Sequence, residues 1–156
     1  MTVLTIEERL ATIRDFVPRL RQLVAGLTAE QLTTPYNAPE WTVAQNVHHL
    51  VDSHTHAYLR TKHILTKHEP QLVGYDQDEF AKFPDAKDAN IEVSLQILEG
   101  LHVRWVRTFE TVTDWSKKGY HLEMQKDVSL DDILSTYHNH CGAHYRQIQE
   151  VLDKMP

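Results

Sequence analysis

The chain carries a single cysteine, Cys141, so no internal disulfide can form. No apolar run approaches the roughly 20 residues that a membrane span needs. The N-terminal stretch MTVLTIEERL has no apolar leader core and no small-residue cleavage site. These absences make a cytoplasmic location the expectation. Basic charge is also short: 16 Lys and Arg stand against 22 Asp and Glu, for a net charge of -6. With no basic surplus to displace counterions, the balance argues against a general nucleic-acid binder. A glycine-rich phosphate loop, a G-x-S-x-G elbow and an HExxH pair are all missing, as are internal repeats and low-complexity segments.

What is present fits one domain over residues 1–156, since 41% hydrophobic residues suffice for one buried core. Thr5-Ile6-Glu7-Glu8, Thr28-Ala29-Glu30-Gln31 and Thr42-Val43-Ala44-Gln45 read as capping boxes, and Ser129-Leu130-Asp131-Asp132 caps a last helix. Behind the first box, Ile6, Leu10, Ile13, Val17, Leu20, Val24 and Leu27 recur at helical spacing, with a kink expected near Pro18. The third opens a helix to about Lys67, its face marked by Val43, Val47, Leu50, Val51, His54, Tyr58 and Leu65. A long connection follows, from about His68 to Asp88, of the kind that forms lids or crossovers. A helix from about Ala89 to Val112 comes next, then a polar stretch with room for a short turn or hairpin around Lys118-Gly119. The last helix turns Ile133, Tyr137, His140, His144, Ile148 and Val151 inward. Four long helices and no convincing strand pattern predict an all-α, four-helix bundle with at least one long crossover.

Histidine is the unusual component, at 11 residues. His140 and His144 stand one helical turn apart, about 40° apart on the wheel, so both can reach one metal ion. Both share the inward face, where an unpartnered imidazole is costly. Hydroxyl or carbonyl partners would meet that need as well. A catalytic zinc-like site wants a third protein ligand and one open position. The segment from Trp41 to His54 offers His48, His49 and His54 for it. The wheel favours His54, in the middle of the apolar face, and ranks His49 last. His56, Arg60 and His63 read as a solvated face, Cys141 as a small buried residue, and Asp52 as a partner for a ligating histidine. Trp41, Trp105 and Trp115 read as packing. Glu99-Gly100-Leu101-His102 matches one Glu-x-x-His element of di-iron bundles, but the second copy is missing.

Trp41-Thr42-Val43-x-Gln45-x-Val47-His48-His49-Leu50-x-Asp52-Ser53-His54, with Tyr58-x-Arg60, resembles the YfiT branch of the DinB-like family. The likeness continues through Thr34-Pro35-Tyr36, Tyr75-Asp76, Val93-Ser94-Leu95 and Leu101-His102-x-Arg104-Trp105. It ends at Tyr137, the His140-x-x-x-His144 pair and Ile148. It implies a DinB/YfiT-like four-helix bundle of unusual connectivity, often a homodimer, with one divalent transition metal on three histidines. The helix-two ligand it implies is the histidine before the leucine, His49; His140 and His144 correspond to the others. Helix four departs from the pattern at His138-Asn139-His140-Cys141-Gly142, where Gly142 is expected to loosen the helix.

Such a site, with zinc or nickel, can lower the pKa of bound water toward about 7. The resemblance implies a metal-dependent hydrolase of a small-molecule substrate. A second reading is an S-transferase that adds a low-molecular-weight thiol to electrophiles, with Arg60 or Arg146 contributing to thiol binding. A third is a metal-binding or stress-response module without catalysis. No general base is assigned.

Overall fold

The computed structural model describes residues 4–156, so the first three residues of the N-terminal stretch read above lie outside the described residues. Four long helices dominate: α1 (Ile6–Val24), α3 (Val43–Thr66), α5 (Glu92–Phe109) and α6 (Leu130–Leu152). Short helices α2 (Ala29–Thr33) and α4 (Gln77–Phe80) lie in the connections. All four capping boxes form, at Thr5, Thr28, Thr42 and Ser129. In each, the hydroxyl accepts the N3 backbone N–H while the N3 side chain returns to the cap backbone. Two otherwise orphaned donors are thereby satisfied. α1 runs unbroken through Pro18, and α6 runs unbroken through Gly142. No helix among the described residues is long and apolar enough to cross a membrane.

Helix α1 packs on α5 and α6, and α3 packs on the same two helices. Consecutive long helices α1 and α3 therefore occupy diagonal corners, as do α5 and α6. Only the α3-to-α5 connection joins neighbours, and the bundle is crossed twice. The core is divided lengthwise into two apolar clusters. One takes Val43, Val47 and Leu50 of α3 with Leu20, Leu98 and Ile148. The other takes Ala57, Tyr58 and Ile64 of α3 with Ile13, Trp105, Phe109 and Leu134. Between them on α3 lie Ser53 and His54, both buried.

The sequence shows no convincing strand pattern beyond room for a short hairpin around Lys118-Gly119; a hairpin does form there, with its turn after His121, and a further strand joins it. β1 (Gln71–Leu72) pairs parallel with β2 (Lys118–His121), and β2 pairs antiparallel with β3 (Lys126–Ser129). The sequence hides this sheet because β1 has two residues and the buried positions of β2 are Gly119 and His121, not apolar side chains. Gly119 is required by a close approach: a Cβ there would stand 2.8 Å from the Pro70 carbonyl oxygen. The sheet clamps the long connection to the hairpin after α5, and both come to rest beside α3. The solvated-face reading of α3 is corrected for the same reason. His56, Arg60 and His63 are half-buried. His56 stacks on Tyr75 at 4.2 Å between ring centroids, and Arg60 donates from Nε and Nη2 to the Val73 carbonyl at 3.0 and 2.7 Å.

The cap of α6 is open to direct measurement. Ser129→Ala is expected to cost about 1 kcal/mol of unfolding free energy at pH 7, read by urea denaturation. Backbone and hydroxyl donors at Ser129 hold the Asp132 carboxyl below its ordinary 3.8. The Asp132 share of the cap is therefore complete above that value and is lost as pH falls through the lower folded-state value.

Candidate metal centre

His49, His140 and His144 meet between α3 and α6, with one ring nitrogen from each within 4.8 Å of the others. The Nε2 atoms of His49 and His140 are 3.2 Å apart. Two nitrogens bound at tetrahedral geometry to one zinc-sized ion stand about 3.3 Å apart, so the spacing suits a shared cation. His49 and His144 are 3% and 7% exposed, and His140 is half-buried.

Each ring has a neighbour at its other nitrogen. His144 Nδ1 is 2.8 Å from Asn46 Oδ1, and Asn46 in turn donates its amide to the Thr42 carbonyl at 3.0 Å. With the amide so oriented, Asn46 accepts the His144 Nδ1–H and leaves Nε2 free. His140 Nδ1 is 3.1 Å from His54 Nε2, and the Tyr75 hydroxyl lies 3.4 Å from His49 Nδ1. Trp41 covers the cluster, its ring nearly parallel to His144 at 6.3 Å and tilted over His49 at 4.8 Å. Burial, with the neighbouring imidazoles adding repulsion, pushes His49 down to about 3 and His140 to about 2. Burial alone takes His144 to about 4. All three rings are thus neutral near pH 7, the state in which imidazole binds a metal. The donor set, its neutrality and its supported outer nitrogens fit one divalent transition metal.

His54, which the wheel favoured, is fully buried but presents its nitrogens to His140 and His102 and does not join the cluster. His48 is also turned away, with Nδ1 2.7 Å from Ser94 Oγ and Nε2 2.8 Å from the Asp88 carbonyl. Asp52 faces Asp85, His48 and His56, which corrects its reading as a partner of a ligating histidine; burial, then Asp85, raises its pKa. Cys141 is buried, and burial raises its thiol well above the ordinary value. Trp105 packs in the core and donates to Thr61 Oγ1 at 3.0 Å. Of the Glu-x-x-His decoy, Glu99 pairs with Arg21 at the surface while His102 turns into the core. Asn46 and His102, both buried and both hydrogen-bonded to a histidine of the site or its neighbour, were given no such role by the sequence reading. The available signal was a polar side chain falling on the apolar stripe of its helix.

A cleft of about 620 Å³ opens beside the cluster. His140, Ser53 and Tyr137 form its floor, Gly74 to Gln77 of the long connection one wall, and His121, Glu123 and Met124 of the hairpin another. Arg60 also lines it.

A family model described as the DinB superfamily matches residues 14–148. "Putative metal-dependent hydrolase YfiT" of Bacillus subtilis (strain 168) is 37% identical over 145 residues, covering 92% of this chain and 82% of the relative. A "Putative metal-dependent hydrolase" of Geobacillus thermodenitrificans (strain NG80-2) is 49% identical over 109 residues, 70% of this chain. The match covers 61% of that relative, less than two thirds of its length. Among solved structures, one described as "YfiT from Bacillus subtilis is a probable metal-dependent hydrolase with an unusual four-helix bundle topology" has a TM-score of 0.92 at 32% identity. It covers 99% of this chain and 91% of its own. A crystal structure of a mycothiol-dependent maleylpyruvate isomerase shares the fold, with a TM-score of 0.74 at 14% identity, over 95% of this chain and 63% of that one.

Asn46→Ala leaves the buried His144 Nδ1–H without its acceptor. The metal-free protein is expected to lose about 1–3 kcal/mol of stability, measured by urea denaturation. A loss within about 0.3 kcal/mol of zero would contradict the hydrogen bond.

Proposed function

The chain belongs to the DinB superfamily, and on that premise we propose that it is a metal-dependent hydrolase holding one divalent transition metal on His49, His140 and His144. The observation that carries this reading is the convergence of three neutral imidazole nitrogens, two from buried rings and one from a half-buried ring, on two helices. The naming of its relatives as "Putative metal-dependent hydrolase" supports it. All-nitrogen donors of borderline softness accept zinc or nickel. Lewis acidity at an open position is the chemistry such a metal supplies, lowering the pKa of a water or thiol that reaches it.

The protein's own groups do the rest. Asn46 and His54 hold two of the rings in place, Trp41 excludes water from one side, and the cleft admits substrate from the other. The Tyr137 hydroxyl donates to the Ser53 carbonyl at 3.2 Å, which leaves the Ser53 hydroxyl, 3.3 Å from it in the cleft lining, as the donor for a carbonyl or phosphoryl oxygen.

A second reading, transfer of a low-molecular-weight thiol, is favoured by the cleft. About 620 Å³ is room for a thiol and an electrophile together, with the Arg60 side chain in its lining. The fold shared with a mycothiol-dependent isomerase is compatible with it.

Metal analysis of the purified protein should find about one equivalent in the wild type and little in His144→Ala, with helical content unchanged by circular dichroism. Full occupancy in that variant would refute the site. The loaded wild type is then assayed on ester, amide and phosphoester panels with and without bacillithiol, mycothiol or glutathione. Turnover with water alone supports hydrolysis. Turnover only with thiol replaces it with transfer, and inactivity in both leaves a metal-binding module.

A further inference from the structure

A layer of histidines separates the two apolar clusters of the bundle. His102 Nδ1 lies 2.8 Å from the Ile13 carbonyl oxygen, and His102 Nε2 lies 2.7 Å from His54 Nδ1. His54 Nε2 lies 3.1 Å from His140 Nδ1. The layer thus runs from the backbone of α1 through α5 and α3 to α6. His54 is 0% exposed and His102 3% exposed. The two rings lie edge to edge and nearly coplanar, with centroids 4.9 Å apart and 9° between their planes, and Phe16 packs against both.

We propose that His54 and His102 are positioning residues, forming a one-way hydrogen-bond chain that makes Nε2 of His140 the free nitrogen facing His49 and His144.

The direction follows from the first link. A carbonyl oxygen only accepts, so His102 Nδ1 must carry the proton. A neutral imidazole has one N–H, so His102 Nε2 has a lone pair and accepts from His54 Nδ1–H. His54 Nε2 then has a lone pair and accepts from His140 Nδ1–H. His140 is left with its lone pair on Nε2, the nitrogen that approaches His49. Reversing the chain would point the His102 Nδ1 lone pair at the carbonyl oxygen. Adding a proton would put a charge in the middle of the core, where no carboxylate contacts any of the three rings among the described residues. The Ile13 carbonyl, with two lone pairs, can take the His102 bond in addition to its helical one.

The consequence is positional. An imidazole that donates its outer N–H is held in one tautomer and one orientation and is a better donor at its other nitrogen. His144 receives the same service from Asn46 in one step; His140 receives it through two further rings. The chain's direction is a property of the metal-free protein. Its effect on metal affinity rests on the metal-binding reading above.

The test has two arms that fail separately. Long-range ¹H–¹⁵N NMR of uniformly labelled, metal-free wild type reads the tautomer of each ring. The expected result is a protonated Nδ1 and a bare Nε2 on His54, His102 and His140 alike. A proton on Nε2 of any of them, or a doubly protonated ring at neutral pH, overturns the chain whether or not the protein binds metal. The second arm titrates Zn²⁺ against a chelator in His102→Leu and His102→Gln. Leucine removes the acceptor for His54, and affinity should fall about 10–100-fold. Glutamine keeps an oxygen that can accept and an amide that can donate, and should recover most of the loss. Equal affinity in wild type and a folded His102→Leu would overturn the positioning role while leaving the metal reading intact. No zinc binding by the wild type would overturn the metal reading and, with it, the positioning role; the chain's direction would still stand or fall on the first arm. Should His102→Leu not fold, the wild-type spectrum decides.

Discussion

A neutral imidazole buried in a protein must donate from one nitrogen and find a proton or a cation for the other. This molecule places several such rings inside a narrow helical bundle, and much of its architecture answers that demand. Every buried side-chain nitrogen and oxygen among the described residues has a hydrogen-bond partner. The solution is collective. Ile13 of α1, His102 of α5, His54 of α3 and His140 of α6 each contribute one link, so all four long helices are tied at one level. Apolar packing alone tolerates sliding and rotation by fractions of a turn. A chain of bonds near 3 Å through four helices does not, because each displaced ring would leave a buried donor or acceptor costing about 1–3 kcal/mol.

The apolar clusters above and below this layer do the complementary work. They exclude water, which strengthens the bonds within the layer and raises the cost of breaking them. The same exclusion keeps the rings uncharged. Burial takes His102 down to about 4 and His54 well below the ordinary histidine value. A layer that protonated near neutral pH would swell or part the core. A neutral one can stay in register while presenting nitrogen lone pairs at its edge.

The i, i+4 spacing of His140 and His144 was readable because it depends only on helical pitch. The capping boxes were readable because they are local. His49 was not readable from periodicity, and the reason is geometric. The wheel finds the direction of greatest apolarity, which on α3 leads to the bundle axis and to His54. The three-histidine cluster sits off that axis, where α3 meets α6, and its burial is supplied by Trp41 and Tyr75 from segments with no period. Residues around His49 therefore look like a polar rim in sequence and are covered in space. The half-burial of His56 and Arg60 has the same origin. The hairpin was legible only as a polar stretch with room for a turn, because Gly119 and His121 occupy the positions where alternating apolar residues would have signalled β2, and β1 was hidden by being two residues long. Only the resemblance to a known family selected His49 beforehand.

The three clustered rings are not equally held, and one of the two best-held rings is the one that meets the cleft. His140 and His144 lie on one helix, and their outer nitrogens face partners at 3.1 and 2.8 Å. His49 comes from another helix, and its outer nitrogen faces the Tyr75 hydroxyl at 3.4 Å, beyond the usual hydrogen-bond distance. Tyr75 is itself anchored by His56 on one side and Phe80 on the other, within the long connection that walls the cleft. The ring that lines the cleft is nevertheless His140, one of the two well-supported ones, while the loosely supported His49 is 3% exposed beneath Trp41 and Tyr75. The ring nearest the opening is therefore the one whose orientation is set from the bundle core, and slack in the cluster is confined to a side that substrate does not reach.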